Sequence, residues 1–206
     1  NDSKDRAYSA HPFTATNGSS GIFLNDYFDL DFVLHEVGHQ FGATHTYAYD
    51  PEPFGVSSEP GSGSTIMSYA GFVSGENMQR HSDPYFHYHS IQDVESYVDN
   101  VSCHSNVNSL NQKPTVNAGE DFYIPKGTAY YLKANGFDSD NDNLTYCWEQ
   151  LDSGQVDASN FGPDLLTGSI NRSIPPSENE IRNIPNISQI LNGNLVSSNP
   201  TLFSSW

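Results

Sequence analysis

The chain has 206 residues, with 8 Lys+Arg against 25 Asp+Glu and a formal net charge of −17 at pH 7. That balance repels nucleic acid and anionic membrane surfaces and makes cations the natural partners. The length allows one large domain or two modest ones with a real core, and no apolar run is long enough to span a bilayer.

Residues 1–22 are polar and interrupted by Pro12, Gly18 and Gly21, a loop pattern with room for a short strand. From Asp29 to Phe41 the apolar residues Phe32, Val33, Val37 and Phe41 recur at helical spacing. Asp26, Asp29 and Asp31 crowd its start, where the helix dipole favours negative charge. The spacing predicts an amphipathic helix that stops at Gly42, since a left-handed residue at a helix end is usually glycine. Residues 46–64, with Pro51, Pro53, Pro60 and the run SSEPGSGS, read as loop, and TIMSYAG as a tight turn. Ser90 as N-cap, Asp93 three residues on, and the stripe Ile91, Val94, Val98 and Val101 predict a second helix. It closes a first domain, residues 1–103, near Cys103.

The polar run SNVNSLNQKP ends in proline and reads as a linker, placed at 104–114. Beyond it, EDFYIP, TAYYLKA and NLTYCWEQ are short, aromatic and β-branched, separated by Pro125, Gly127 and DSDNDN. They predict a small β-sandwich over 115–206, with Ile190 to Val196 the one candidate strand in its later part. The two cysteines, Cys103 and Cys147, allow either one disulfide, worth about 4 kcal/mol in the chain-entropy model, or two separate thiols.

The chemistry concentrates in HEVGHQFGATH, residues 35–45. Residues four apart on an α-helix share a face about 6 Å apart in rise, so His35 and His39 can hold one ion between them. A continuing helix would carry His45 about 9 Å past His39, whereas zinc–nitrogen bonds are about 2.0–2.1 Å. The chain must therefore turn back, and Gly42 sits where that turn is needed. Three neutral ligands leave a fourth zinc position open for water, and Glu36 is placed to take that water's proton. A chance occurrence of this spacing is on the order of one in ten thousand. The other histidines, His11, His81, His87, His89 and His104, lack such spacing and fit solvent-facing or hydrogen-bonded roles.

HEVGHQFGATH resembles the HExxHxxGxxH signature of metzincin metallopeptidases. The resemblance implies that His35, His39 and His45 bind Zn²⁺ and that Glu36 is the general base. TIMSY, residues 65–69, is similar to the Met-turn of that clan, which makes Met67 an apolar floor beneath the metal. Tyr69 is at the position of a tyrosine that in some members binds zinc or steadies the transition state. FDLDFVLHEVGHQFG, EPGSGSTIMSYAG and DPYFH are similar to secreted bacterial reprolysin-like enzymes, and KPTVNAGEDFYIPKG and LTYCWEQ to the PKD/Ig-like β-sandwich module that follows their catalytic domain. The implied fold is α+β: the C-terminal part of a metzincin catalytic domain, then a small β-sandwich. Thr46 departs from venom-type reprolysins, which carry Asp after the third histidine. Only 34 residues precede His35, short for the N-terminal subdomain of the clan, so a fragment of a longer enzyme is expected, cut at both ends.

Asp138, Asp140 and Asp142 alternate along a turn, and hard oxygen ligands suit Ca²⁺. Counted as an EF-hand loop from Asp138, position twelve is Glu149, but position six is Asn143 instead of glycine.

The expectation is thus a monomeric, extracellular zinc endopeptidase acting on protein or peptide, its signal peptide removed. The rivals are a noncatalytic, zinc-stabilised module that binds protein or carbohydrate, and an inactive piece of the parent protease.

Overall fold

The computed structural model describes residues 27, 29–103, 111–162 and 164–195. A π-helical stretch, Asp29–Leu34, runs directly into α1, His35–Gln40, and α2 spans Tyr88–Asn100. Then come β1 (Thr115–Asn117), β2 (Tyr130–Lys133), β3 (Asn135–Phe137), β4 (Ile181–Ile184) and α3 (Ile187–Leu191). This mixture of short helices and strands is of the expected α+β type. The readings for residues 1–22, Asp26, 104–110 and Val196 lie outside the described residues.

The first helical segment forms where the spacing puts it, but the apolar stripe is not its buried face. Val33 and Phe41 are exposed, whereas Asp31, His35 and Gly38 are buried. Polar anchors explain the difference. Asp31 accepts from the Ser82 N–H (2.8 Å) and from His81 Nδ1–H (2.8 Å), and Tyr27 stacks on His81 at 3.6 Å. At the other end Gly42 takes φ +88°. Its N–H bonds to His39 O and the Ala43 N–H to Gly38 O, both at 3.0 Å. These are the two bonds of a Schellman stop, and they satisfy carbonyls the helix would otherwise leave open.

α2 begins earlier than its pattern suggested. His87 is the N-cap, its Nδ1 accepting from the His89 N–H, while Ser90 is buried inside the first turn. Asp93 is engaged elsewhere, accepting from the N–H and hydroxyl of Thr44 (3.0 and 2.8 Å). Ile91 is exposed, and it is Val94 that packs with Phe86 on the buried Ala43, Ile66 and Met67.

The β-sandwich expectation is corrected. The described strands form two separate two-stranded antiparallel sheets, β1–β3 (Thr115↔Phe137) and β2–β4 (Tyr130↔Ile184). TAYYLKA supplies β2, but EDFYIP is irregular and NLTYCWEQ contributes only the bridge Tyr146↔Ser177. In NLTYCWEQ the Trp148 carbonyl is taken by a side chain: Arg182, itself in β4, donates to Trp148 O and to Arg172 O, and Trp148 Nε1–H donates to Glu180 O. The strand expected from Ile190 is replaced by α3, because the Asn186 side chain caps the Gln189 N–H (3.1 Å) and nucleates a helical turn. Of the two possibilities for the cysteines, the structure shows the separate thiols. Cys103 and Cys147 are both free thiols, and Cys147 Sγ–H faces Ile174 O at 3.3 Å.

Late residues return to the first region. Val156 N–H bonds to Ala48 O and Gly61 N–H to Val156 O, both at 2.9 Å. Val156 and Phe161 are buried with Ala48 and Met78, and Leu165 and Ile170 pack against them. The loop 46–64 is thereby held from outside by residues about a hundred positions downstream.

Candidate metal centre

α1 sets His35 and His39 on one face, and the glycine stop sends the chain back so that His45 meets them. Their Nε2 atoms form a triangle: 3.2 Å from His35 to His39, 3.1 Å from His35 to His45, and 3.0 Å from His39 to His45. The opposite ring nitrogens decide the protonation. His35 Nδ1–H donates to Ile66 O (2.7 Å), His39 Nδ1–H to Ala43 O (2.8 Å), and His45 Nδ1–H to Glu52 Oε2 (2.7 Å). With each proton on Nδ1, all three Nε2 atoms carry lone pairs directed at a common point. Burial, and then the neighbouring His39, lowers the His35 pKa to about 3, so this ring is neutral at physiological pH.

Three facing lone pairs cannot bond one another; a cation satisfies them. Tetrahedral zinc with bonds of about 2.0–2.1 Å separates its ligand nitrogens by about 3.3 Å, close to the observed triangle. The residues therefore fit the metal that the spacing implied. Acceptors on the far side of each ring fix its tautomer and orientation, as metal-binding imidazoles require.

The supporting layer comes from TIMSY and the loop before it. Ile66 contributes the carbonyl behind His35, and Met67 is fully buried beneath α1. A Cβ on Gly38 would come within 2.4 Å of Met67 Sδ, so the glycine of HEVGH lets the helix rest on the methionine. Thr46 N–H bonds to Met67 O at 3.2 Å, joining the residue after the third histidine to the same turn. Glu36, half-buried, follows His35 on α1. The Tyr69 ring lies 4.7 Å from that of His45 and 5.7 Å from that of His35. Burial, and next the Glu52 charge, raises the Tyr69 pKa, which keeps its phenol protonated.

Two carboxylates of this site escaped the sequence reading. Glu52 bridges His45 Nδ1–H and the Tyr47 hydroxyl (2.5 Å), and Tyr47 stacks between His45 and Tyr49. Hydrogen bonds from Tyr47 and His45, outweighing its desolvation, hold the Glu52 pKa below the ordinary value. Glu59 is buried in the loop core. Neither has a periodic signal; the only cue was a lone acid inside SSEPGSGST, surrounded by hydroxyl groups that need an acceptor.

The remaining assignments fare differently. His81 and His87 are hydrogen-bonded, as expected, and His89 stacks on His87. Asp138, Asp140 and Asp142 do bring oxygens within 4.8 Å of one another. Yet Asp138 Oδ1 accepts the N–H groups of Asp140 and Asp142 (2.8 and 3.1 Å), which makes it a turn-forming aspartate. Glu149 lies elsewhere, accepting from the Tyr88 N–H and the Ser173 hydroxyl. The EF-hand count therefore fails, and nothing beyond the grouping supports calcium.

Residues 5–97, a little under half of the chain, match the Metallo-peptidase family M12B, Reprolysin-like. The match covers HEVGHQFGATH and TIMSY and bears out the resemblance read from them, while the strand-bearing part lies beyond it. No curated protein and no solved structure matches the chain significantly.

Proposed function

We propose that the reprolysin-like region, residues 5–97, carries the zinc site of an endopeptidase acting on protein or peptide. The observation behind this reading is the convergence of three Nε2 lone pairs within 3.2 Å, each enforced by an acceptor on Nδ1. His35, His39 and His45 are the ligands. Zinc held there would supply Lewis acidity, lowering the pKa of water towards neutrality and polarising a peptide carbonyl.

The chain's own groups do the rest. Glu36 accepts a proton from the attacking water and returns it to the leaving amine nitrogen, which requires a carboxylate and not an amide. Tyr69, kept neutral by burial, donates its hydroxyl to the developing oxyanion. Met67 and Gly38 hold α1 at a fixed height, and Glu52 orients His45. In this reading α1, the Met67 turn and α2 are the C-terminal part of a metzincin catalytic domain, followed by a strand-bearing module. Secretion as a monomer fits the acidic, lysine-poor composition, and no described helix is long and apolar enough to cross a membrane.

Zinc per chain measured on the purified protein, with His39→Ala beside it, tests the site. Near one zinc in the unmutated chain and none in the variant is expected; none in either would sink the assignment. Chelator-sensitive cleavage of a general protein substrate then separates an endopeptidase from a zinc-stabilised binding module.

A further inference from the structure

The loop after the third histidine encloses a carboxylate that is only 1% exposed, that of Glu59. Its Oε1 accepts from the N–H groups of Ser64 (2.9 Å) and Thr65 (3.1 Å) and from the Ser64 hydroxyl (3.1 Å). Its Oε2 accepts from the hydroxyls of Thr46 (2.6 Å) and Thr65 (2.5 Å). All five donors are uncharged, and among the described residues no Lys, Arg or His forms an ion pair with Glu59. A buried carboxylate without a cation is unfavourable unless its lone pairs are filled, and here they are. The five hydrogen bonds are shared between two oxygens, more than the single carbonyl oxygen of Gln or Asn could accept.

The donors are the residues that flank the metal centre on both sides. Thr46 follows His45. Thr65 precedes Ile66, whose carbonyl holds His35, and Met67, which underlies Gly38. Thr46 is gripped at every polar atom: its hydroxyl by Glu59, its N–H by Met67 O, and its carbonyl by the N–H groups of Ser58 (2.9 Å) and Glu59 (2.8 Å).

We propose that Glu59 is a positioning residue for the metal centre. By accepting from Thr46 and Thr65 together, its carboxylate sets the third ligand, His45, against the turn that carries the support for His35. The proposal rests on the zinc reading above. It also accounts for threonine at position 46, because the link needs a hydroxyl donor there and the charge comes from Glu59.

Zinc affinity by chelator competition, together with the visible absorption of the Co²⁺-loaded chain, tests the role without relying on catalysis. Thr46→Val keeps the volume and removes the link; it should lower zinc affinity about 10- to 100-fold and weaken the Co²⁺ bands, while Thr46→Ser stays within about threefold of the unmutated chain. Glu59→Gln should lose at least as much as Thr46→Val, and if that variant fails to fold the Thr46 pair still decides. Ser64→Ala removes a hydroxyl donor on Oε1 and leaves the Thr46 link, so it should lower thermal stability and leave zinc affinity intact. Unchanged affinity in Thr46→Val, or an equal loss in Ser64→Ala, would overturn the positioning role alone. Failure of the unmutated chain to bind zinc would overturn the zinc reading and this role with it.

Discussion

Residues 57–68 and the strands β1 and β3 invert the usual relation between regular structure and burial. Each of the twelve residues from Ser57 to Ser68 is buried, though the stretch contains no helix and only an isolated bridge at Glu59. β1 is regular and wholly exposed, and β3 is exposed at both ends, with Val116 at 67% and Phe137 at 65%. Ladder bonds alone define the strands. The buried loop is defined by side chains that take over the backbone's hydrogen bonds: Glu59 for Ser64 and Thr65, the Ser62 hydroxyl for Met78 N–H. Irregular backbone can be buried only when each N–H and C=O has a partner, and short hydroxyl and carboxylate side chains supply them at low entropic cost. The buried loop is therefore the one that backs the three histidines, through the Ile66 carbonyl behind His35.

The largest effects should fall on the buried side of this contrast. His39→Ala removes one of the three ligands and should leave no zinc after dialysis, measured by metal analysis; retained stoichiometric zinc would break the comparison at its root. Glu36→Gln should keep zinc and lower peptide hydrolysis by about 10²- to 10⁴-fold, the usual share of a general base. Undiminished turnover would refute the assigned base. Glu52→Gln weakens the acceptor behind His45 and should lower zinc affinity by about 10- to 100-fold, read by competition with a chelator. Gly38→Ala forces a Cβ against Met67 Sδ and Phe86 and should cost about 1–3 kcal/mol; its thermal unfolding curve reports this. On the exposed side, Phe137→Ser in β3 should change stability by less than about 0.5 kcal/mol. A loss as large as that of Gly38→Ala would show that the strands are covered in solution.

The parts of the site that could be read in advance share one property: they follow from local geometry. An i, i+4 pair of histidines on a helix, a glycine where the helix must stop, and a third histidine after it are fixed by rise and handedness, and the structure places them so. Asp29 and Asp31 do open the helical segment, yet Asp31 also reaches across to Ser82 and His81, about fifty positions away. Apolar periodicity misled where polar anchoring decided the packing, at Val33, Phe41 and Ile91. Aromatic, β-branched segments misled as well: EDFYIP is irregular, and in NLTYCWEQ the Trp148 carbonyl accepts from the Arg182 side chain.

By itself, then, the sequence determined the grouping of three histidines, the glutamate beside the first and the turn that gathers them, because each is a matter of spacing within eleven residues. Only the tertiary structure decided that Glu52 backs His45, that Glu59 joins Thr46 to Thr65, that Gly38 rests on Met67, and that the two cysteines stay apart. Those pairings depend on how irregular chain closes on itself. Side-chain bonds across such closures leave no period in the sequence, since any loop with an acid and a few hydroxyls could in principle make them.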